Sequence, residues 1–312
     1  MPASMAKMHR LSANAIAKKT VQRYFNCIAH NSSDCNLLIG SRYTAVFDCG
    51  MQFCAEETIE MAKNALNGRT LDYIFLTHTH YDHIGALPYF KREWPNAKVA
   101  ASEAGAAVLL KDTPRRVIRE LSIVAAQANN AKIDYLYDDD IFKADIVLRE
   151  GDETALGGAT VAVLETPGHT RDALSFFVGE LGLLIINETP GVLMPDSSIY
   201  PCYLSGYIDT INSIQKLQSV QYDQLSLPHT GIVSDAVSNG FFDRCLSNNK
   251  QCHSFIAQMG KDGLGEDEML DRFYKRYASE TLLEYQPLEA FYANAKATIA
   301  CSLREASSEN EL

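Results

Sequence analysis

The sequence predicts an α/β fold with a helical C-terminal extension. Three observations point there: a strand–helix–strand unit early in the chain, a strand-rich second half punctuated by glycine turns, and a run of helical pattern after residue 238. In the first of these, residues 43–48 (YTAVFD) are apolar and β-prone and end in a turn at Gly50. Residues 56–67 then put Ile59, Ala62 and Leu66 on one face of a helix, and residues 71–77 (LDYIFLT) form a second strand. That spacing is a βαβ unit, a parallel pair of strands joined by a right-handed crossover.

Further along, residues 98–101 read as a short third strand and residues 103–111 as a helix. Residues 113–130 form an amphipathic helix, with Thr113 as cap, Pro114 in the first turn and Val117, Leu121, Val124 and Ala128 along one side. Strands follow at 146–148, 160–165, 174–178 and 183–187, separated by turns at Gly151-Asp152 and Gly157-Gly158. A helix covers 209–220 and a last strand lies near 225–227. The helical region after 238 breaks at residues 263–265 and at Pro287, and the tail 306–312 is expected to be disordered. The domain reading is therefore a sheet-rich domain, 1–234, and a helical extension, 235–312, which is expected to close over the site described next.

Acidic residues outnumber basic ones by 39 to 28, for a net charge of -11. Such a chain repels phosphate backbones, so no nucleic-acid partner is expected. No apolar run is long enough to span a bilayer, which argues against a membrane partner. The first 19 residues carry charges and no continuous apolar stretch, so they do not read as a secretory signal. Eight cysteines, at 27, 35, 49, 54, 202, 245, 252 and 301, are dispersed without CxxC pairs. They read as reduced, buried thiols of a cytoplasmic protein.

The chemistry concentrates in HTHYDH at 78–83, directly after an apolar strand. Imidazole and carboxylate are ordinary ligands for zinc, iron and manganese. His78 and His80, two apart on an extended segment, point the same way and can share one metal. Asp82 and His83 follow where the chain turns into a helix, expected over 84–92, and can face a neighbouring ion. Three further residues repeat one arrangement, a ligand-type side chain at a strand's C-terminal end: His169 in TPGHT, Glu188 after GLLIIN and His229 after LSLP. In open α/β sheets that edge is where ligands gather.

On these residues the chain resembles the metallo-β-lactamase superfamily: Asp48 and Gly50 as a D-x-G turn, HTHYDH at 78–83, His169 in TPGHT, the acid at 188 and His229 in PHTG. The likeness covers about residues 20–234. It implies an αββα sandwich with metals at one edge. His78, His80 and His169 would hold metal 1; Asp82, His83 and His229 would hold metal 2; the residue at 188 would bridge them; and Asp48 would support the ligands from behind. The bridging position is most often Asp in that superfamily, and Glu188 is one methylene longer. The HYDH, LPYF and PNA segments and the helical layout carry a more local likeness to the quinolone-signal response thioesterases of the same superfamily.

The implied cofactors are two divalent metal ions, zinc or iron/manganese. Two such ions about 3.5–4 Å apart share a hydroxide at near-neutral pH, ready to attack an acyl or phosphoryl centre. Asp82 is the candidate catalytic residue, orienting the nucleophile and passing on its proton. No G-x-S-x-G element suggests a serine nucleophile instead. Cys49 and Cys54, near the Asp48 turn, read as core residues rather than ligands. Arg115, Arg116 and Arg119 read as a solvated face balanced by Asp112 and Glu120, with an anion-binding role as the less favoured reading. Tyr200, Tyr203 and Tyr207, with Leu193 and Met194, are candidates for pocket wall or for packing.

The expected function is hydrolysis of a small ester, thioester or lactone. One alternative is a di-iron redox protein, but relatives of that type usually carry Glu where His80 stands, and roughly 75 residues after 234 are too few for a flavin domain. The other alternative is a sensor or partner-binding protein with a mainly structural metal site. The expected partner is a small-molecule substrate, with a homodimer compatible with the sequence.

Overall fold

The computed structural model describes residues 8–10, 23–27, 34–132, 138–285 and 288–309. The chain divides into two compact units, each assembled from several stretches. The first takes Met1–Glu165, Leu174–Ile186 and Tyr222–Ile232; the second takes Thr166–Ala173, Asn187–Gln221 and Val233–Leu312.

The first unit holds two sheets. In the seven-stranded sheet the strands lie in sequence order. Met8–Arg10, Arg23–Cys27, Asn36–Ile39 and Thr44–Phe47 are antiparallel neighbours, and Tyr73–Phe75, Lys98–Ser102 and Ile146–Leu148 continue in parallel. The predicted βαβ unit is present as Thr44–Phe47, helix Ala55–Leu66 and Tyr73–Phe75. The six-stranded sheet runs in the order Gly231–Ile232, Gln224–Leu227, Leu183–Ile185, Leu174–Val178, Thr160–Glu165, Glu153–Ala155. In it only the Leu183–Ile185/Gln224–Leu227 pair is parallel.

Side-chain alternation sets the layers. Leu38, Phe47 and Phe75 of the first sheet meet Val163, Phe176 and Ile185 of the second in one core. Phe176 lies 5.1 Å from Phe47 and 5.5 Å from Phe75, in tilted aromatic contacts. The intervening Leu37, Val46, Ile74 and Val99 point the other way, onto Ala62, Leu66 and Phe90 of the covering helices. Asn36–Ile39 is buried on both faces. It therefore shows no alternation of apolar and polar residues, which is why sequence periodicity passes over it.

Three local expectations are corrected. The helix at the histidine motif begins at Tyr81 rather than at 84; it runs Tyr81–Ile84 and is followed by Leu87–Glu93. Helix Asp112–Ala128 buries Ile118, Ser122, Ala125 and Ala126, and leaves Val117 (43%), Leu121 (38%) and Val124 (43%) exposed. Small residues face the Tyr81–Ile84 turn: a Cβ on Gly85 would already come 3.2 Å from Ser122 Oγ, so the larger apolar side chains are turned outward. The last helix, Leu288–Glu309, carries order through most of the tail that composition marked as disordered. The expected break at Pro287, the N-terminal residues 1–7 and 11–22, and the Cys27 side chain lie outside what is described.

The second unit contains the hairpin Val192–Leu193/Ile199–Tyr200 and the helices Tyr207–Gln218, Asp235–Ser238, Phe241–Lys261, Glu266–Tyr277, Glu280–Tyr285 and Leu288–Glu309. Its core gathers Tyr203, Cys252, Ile256, Phe273, Phe291 and Ile299. Among the described residues, no helix is long and apolar enough to cross a membrane. The seven described cysteines are all free and buried.

Candidate metal centre

In the first unit the histidine motif is built around one carboxylate. Asp48 ends the strand Thr44–Phe47 in a left-handed conformation (φ 61°), which Asp tolerates better than most residues. Its Oδ1 accepts the Thr77 N–H at 2.8 Å, and its Oδ2 accepts the Thr77 hydroxyl at 2.6 Å and His83 Nδ1–H at 2.9 Å. The His83 carbonyl in turn accepts the N–H groups of Cys49 and Gly50, tying the short helix Tyr81–Ile84 to the D-x-G turn.

This web assigns tautomers. Thr77 has one hydroxyl proton and gives it to Asp48, so its oxygen accepts from His78 Nδ1 at 3.1 Å. His78 and His83 both spend Nδ1 as a donor, leaving the Nε2 lone pair for a cation. His83 Nε2 and His229 Nε2 each lie 3.9 Å from Asp82 Oδ2. That is too long for a hydrogen bond. It is a few tenths of an ångström wider than the roughly 3–3.6 Å separating ligand atoms bonded at about 2.1 Å to one ion. One ligand atom from each of Asp82, His83 and His229 falls within 4.8 Å of the others. The rings of His78 and His80 lie 4.7 Å apart, and those of His78 and His83 4.2 Å apart. His229 is itself left-handed (φ 59°), and its N–H donates to the buried carboxylate of Asp34.

The second unit presents His169 and Glu188. His169 Nδ1 lies 2.7 Å from the Cys202 carbonyl, which can only accept, so Nδ1 is the protonated nitrogen. Nε2 then faces Glu188 Oε2 across 4.0 Å, lone pair toward lone pair. A cation held there would relieve that opposition. The two loops are clamped by neutral groups. Thr189 N–H donates to Asn187 Oδ1, Asn187 Nδ2 to Thr166 Oγ1, Thr189 Oγ1 to the Thr166 carbonyl, and His169 N–H to Thr189 Oγ1. Gly168 (φ 143°) is required in the turn, since a Cβ there would sit 2.1 Å from Thr210 Oγ1.

A family model for the metallo-β-lactamase superfamily matches residues 30–189, just over half of the chain. The chain belongs to the metallo-β-lactamase superfamily. Among curated relatives of this superfamily member, Glyoxylase B2 of Dictyostelium discoideum is 29% identical over 161 residues, covering 51% of this chain and 47% of that protein. A hydroxyacylglutathione hydrolase of Bartonella henselae is 29% identical over 151 residues, covering 48% and 44%. The chain thus spans less than half the length of either relative. Among solved structures, an archaeal metallo-β-lactamase superfamily protein from Sulfolobus tokodaii superposes with a TM-score of 0.55 at 20% identity, covering 89% of this chain and 93% of that one. At that identity the likeness speaks for the fold. The αββα superfamily fold with C-terminal helices, expected from the motif, is the fold of this chain.

Sequence reading named the histidines and the two acids as candidate ligands. It did not find their supports: Asp34, Thr77, the Thr166–Asn187–Thr189 clamp and the Cys202 carbonyl. Cys49 and Cys54 are core residues; burial and the Asp48 charge push the Cys49 thiol far above its ordinary value. Arg116 pairs with Glu120 at 3.8 Å on the exposed helix face, as expected, whereas the Arg115 side chain is mostly buried and donates to the carbonyls of Leu109 and Phe142. Tyr203 is core, and Tyr207 stacks on His253 at 3.8 Å.

Proposed function

We propose that the chain is a dinuclear metal-dependent hydrolase of a small ester, thioester or lactone, with thioesters first. In this reading His78, His80 and His169 hold one ion, Asp82, His83 and His229 hold the second, and Glu188 contacts at least one of them. The observation that carries it is the acceptor-to-acceptor arrangement: tautomers fixed from behind by Asp48 and the Cys202 carbonyl, with Nε2 of His83 and of His169 turned toward carboxylates at 3.9 and 4.0 Å. The thioester preference rests on the hydroxyacylglutathione hydrolase relatives, whose name denotes an acylated thiol as substrate.

Bound there, two divalent ions would supply Lewis acidity and an activated water near neutral pH. The all-nitrogen-and-oxygen ligand set suits zinc, iron or manganese. The chain's own residues do the rest. Asp82 orients the nucleophilic water and carries its proton toward the leaving group. Asp48 holds the His83 ring in one tautomer through Nδ1, and the Cys202 carbonyl does the same for His169.

The test is elemental analysis together with a hydrolysis panel of acyl thioester, aryl ester, lactone, phosphodiester and β-lactam. About two metal ions per chain and the highest kcat/KM on the thioester or aryl ester are expected. Less than about half an equivalent of any transition metal after reconstitution, or a phosphodiester outrunning every ester, would sink the proposal. His80→Ala should abolish turnover and lower metal content. Glu188→Gln should cost about 10–100-fold in metal affinity or activity by removing a charge from beside the ions, with Glu188→Asp intermediate. Full metal content and rate in Glu188→Gln would remove that residue from the site.

A further inference from the structure

The second unit contains a cavity of about 510 Å³ between the hairpin Val192–Leu193/Ile199–Tyr200, helix Phe241–Lys261 and the C-terminal end of helix Glu266–Tyr277. That volume is in the range of small-molecule sites. Its apolar wall comes from Met194, Ile199, Tyr200 and Leu282, of which Met194, Tyr200 and Leu282 are buried. Its polar groups are Arg244, Arg276, Asn248 and the turn Asp196–Ser198.

The two arginines set the chemistry. On helix Glu266–Tyr277 the neighbouring cations are neutralised locally, Arg272 by Glu268 at 2.8 Å and Lys275 by Asp271 at 2.6 Å. Among the described residues Arg276 and Arg244 have no carboxylate within ion-pair distance. Arg276 instead lies over the rings of Phe255, at 4.6 Å, and Tyr277, at 5.5 Å. Arg244 lies 5.9 Å over Phe241 and gives one N–H to the Val237 carbonyl. A guanidinium held over a ring can still offer an in-plane N–H edge, the edge that recognises carboxylate and phosphate in a bidentate way. In a chain of net charge -11 these two cations outnumber Asp196, the one carboxylate among the described lining residues. The Asp196 charge is engaged within its own turn, accepting the Ser198 hydroxyl at 2.6 Å and its N–H at 2.9 Å.

We infer that this cavity binds a small anion-headed molecule, a phosphate or carboxylate carried on an aromatic or aliphatic body, with Arg244 and Arg276 on the head group and Met194, Ile199 and Leu282 around the body. Every residue of this site lies in the second unit, and none of them is a metal-ligand candidate, so the inference stands apart from the proposed hydrolysis. The Asn248 side chain donates to the Ile199 carbonyl at 2.7 Å and holds the hairpin that forms one wall.

The experiment is calorimetric titration of the full, metal-loaded chain with phenyl phosphate, benzoate and phenol. At least one of the two anions should bind more tightly than neutral phenol. Arg276→Gln and Arg244→Gln should each weaken the anion by about tenfold or more, the loss of one charge-assisted contact, with phenol unchanged and unfolding still cooperative. Arg276→Lys should restore part of the affinity. His80→Ala should leave it intact. Equal anion affinity in wild type and the Arg244→Gln/Arg276→Gln double variant overturns the inference, as does absence of binding by both anions. Loss of binding in His80→Ala with wild-type affinity in the arginine variants also overturns it, by placing the anion at the metals.

Discussion

In the first unit the imidazoles are braced by a charge: the Asp48 carboxylate accepts two bonds from Thr77 and one from His83. In the second unit the brace is neutral, a ring of two threonines, an asparagine and backbone carbonyls around His169 and Glu188. Hydrogen bonds to a charged acceptor contribute about 1.5–3 kcal/mol and neutral ones about 0.5–1.5 kcal/mol. The first brace concentrates its effect in one replaceable residue, while the second spreads it over several. The neutral ring suits its place, since Glu188 already brings a carboxylate to that loop and a second one would repel it.

The largest expected effect from breaking a brace is therefore at Asp48. Asp48→Asn keeps the shape but cannot accept from both Thr77 and His83 as a carboxylate does, and metal affinity should fall about 10–100-fold. Metal titration against a competing chelator checks this, and a wild-type affinity would show the charge to be dispensable. Thr189→Val should cost less, about 1–3 kcal/mol of stability from the unsatisfied Thr166 carbonyl and His169 N–H, with a metal-affinity loss smaller than that of Asp48→Asn. If the valine variant loses more metal than the asparagine variant, the contrast between the two braces is wrong.

A subtler difference lies in the buried acids that stay protonated. In the second unit burial raises Tyr200, Tyr203, Tyr277 and Cys245, and pushes Cys252 from 9.0 up to about 11. These groups ionise more easily in the unfolded chain, so their contribution to stability is complete below the unfolded values and is lost as pH rises through them. For Cys252 the loss runs from about pH 9 to about pH 11. Among the described residues of the first unit, Cys49 and Tyr81 are raised in the same way. Trp94, the single tryptophan, is buried in the first unit and reports on it by fluorescence. Denaturation followed by helix circular dichroism should lose midpoint across that window faster than denaturation followed by Trp94. Coincident losses would mean that the two units unfold as one.

The legible part of the site was the part written locally. HTHYDH packs four ligand-type residues into six positions, and His169, Glu188 and His229 each follow a recognisable strand end. The unread part works through backbone atoms or across long separations. Asp34 acts on the N–H of His229, 195 residues away, and His169 is oriented by a backbone carbonyl, whose accepting role no side chain advertises. The helix Asp112–Ala128 shows the limit of periodicity. Its pattern correctly gave a helix, yet the neighbouring Tyr81–Ile84 turn and Gly85 admit only small side chains, so the buried face is Ser122, Ala125 and Ala126 beside Ile118, not the Val117–Leu121–Val124 stripe.

The chain passes between its units five times, after residues 165, 173, 186, 221 and 232. Synthesis runs in one direction, so the six-stranded sheet cannot be completed until Gly231–Ile232 has left the ribosome. By then the loops bearing His169 and Glu188 have already emerged, while the helices Phe241–Lys261 to Leu288–Glu309 that complete their unit are still to be made. Those roughly 75 residues take about 4–15 s to translate. For that interval the nascent protein carries a finished scaffold with one short and one long unfinished excursion, Thr166–Ala173 and Asn187–Gln221, the stage at which a chaperone or a protease would find most to hold.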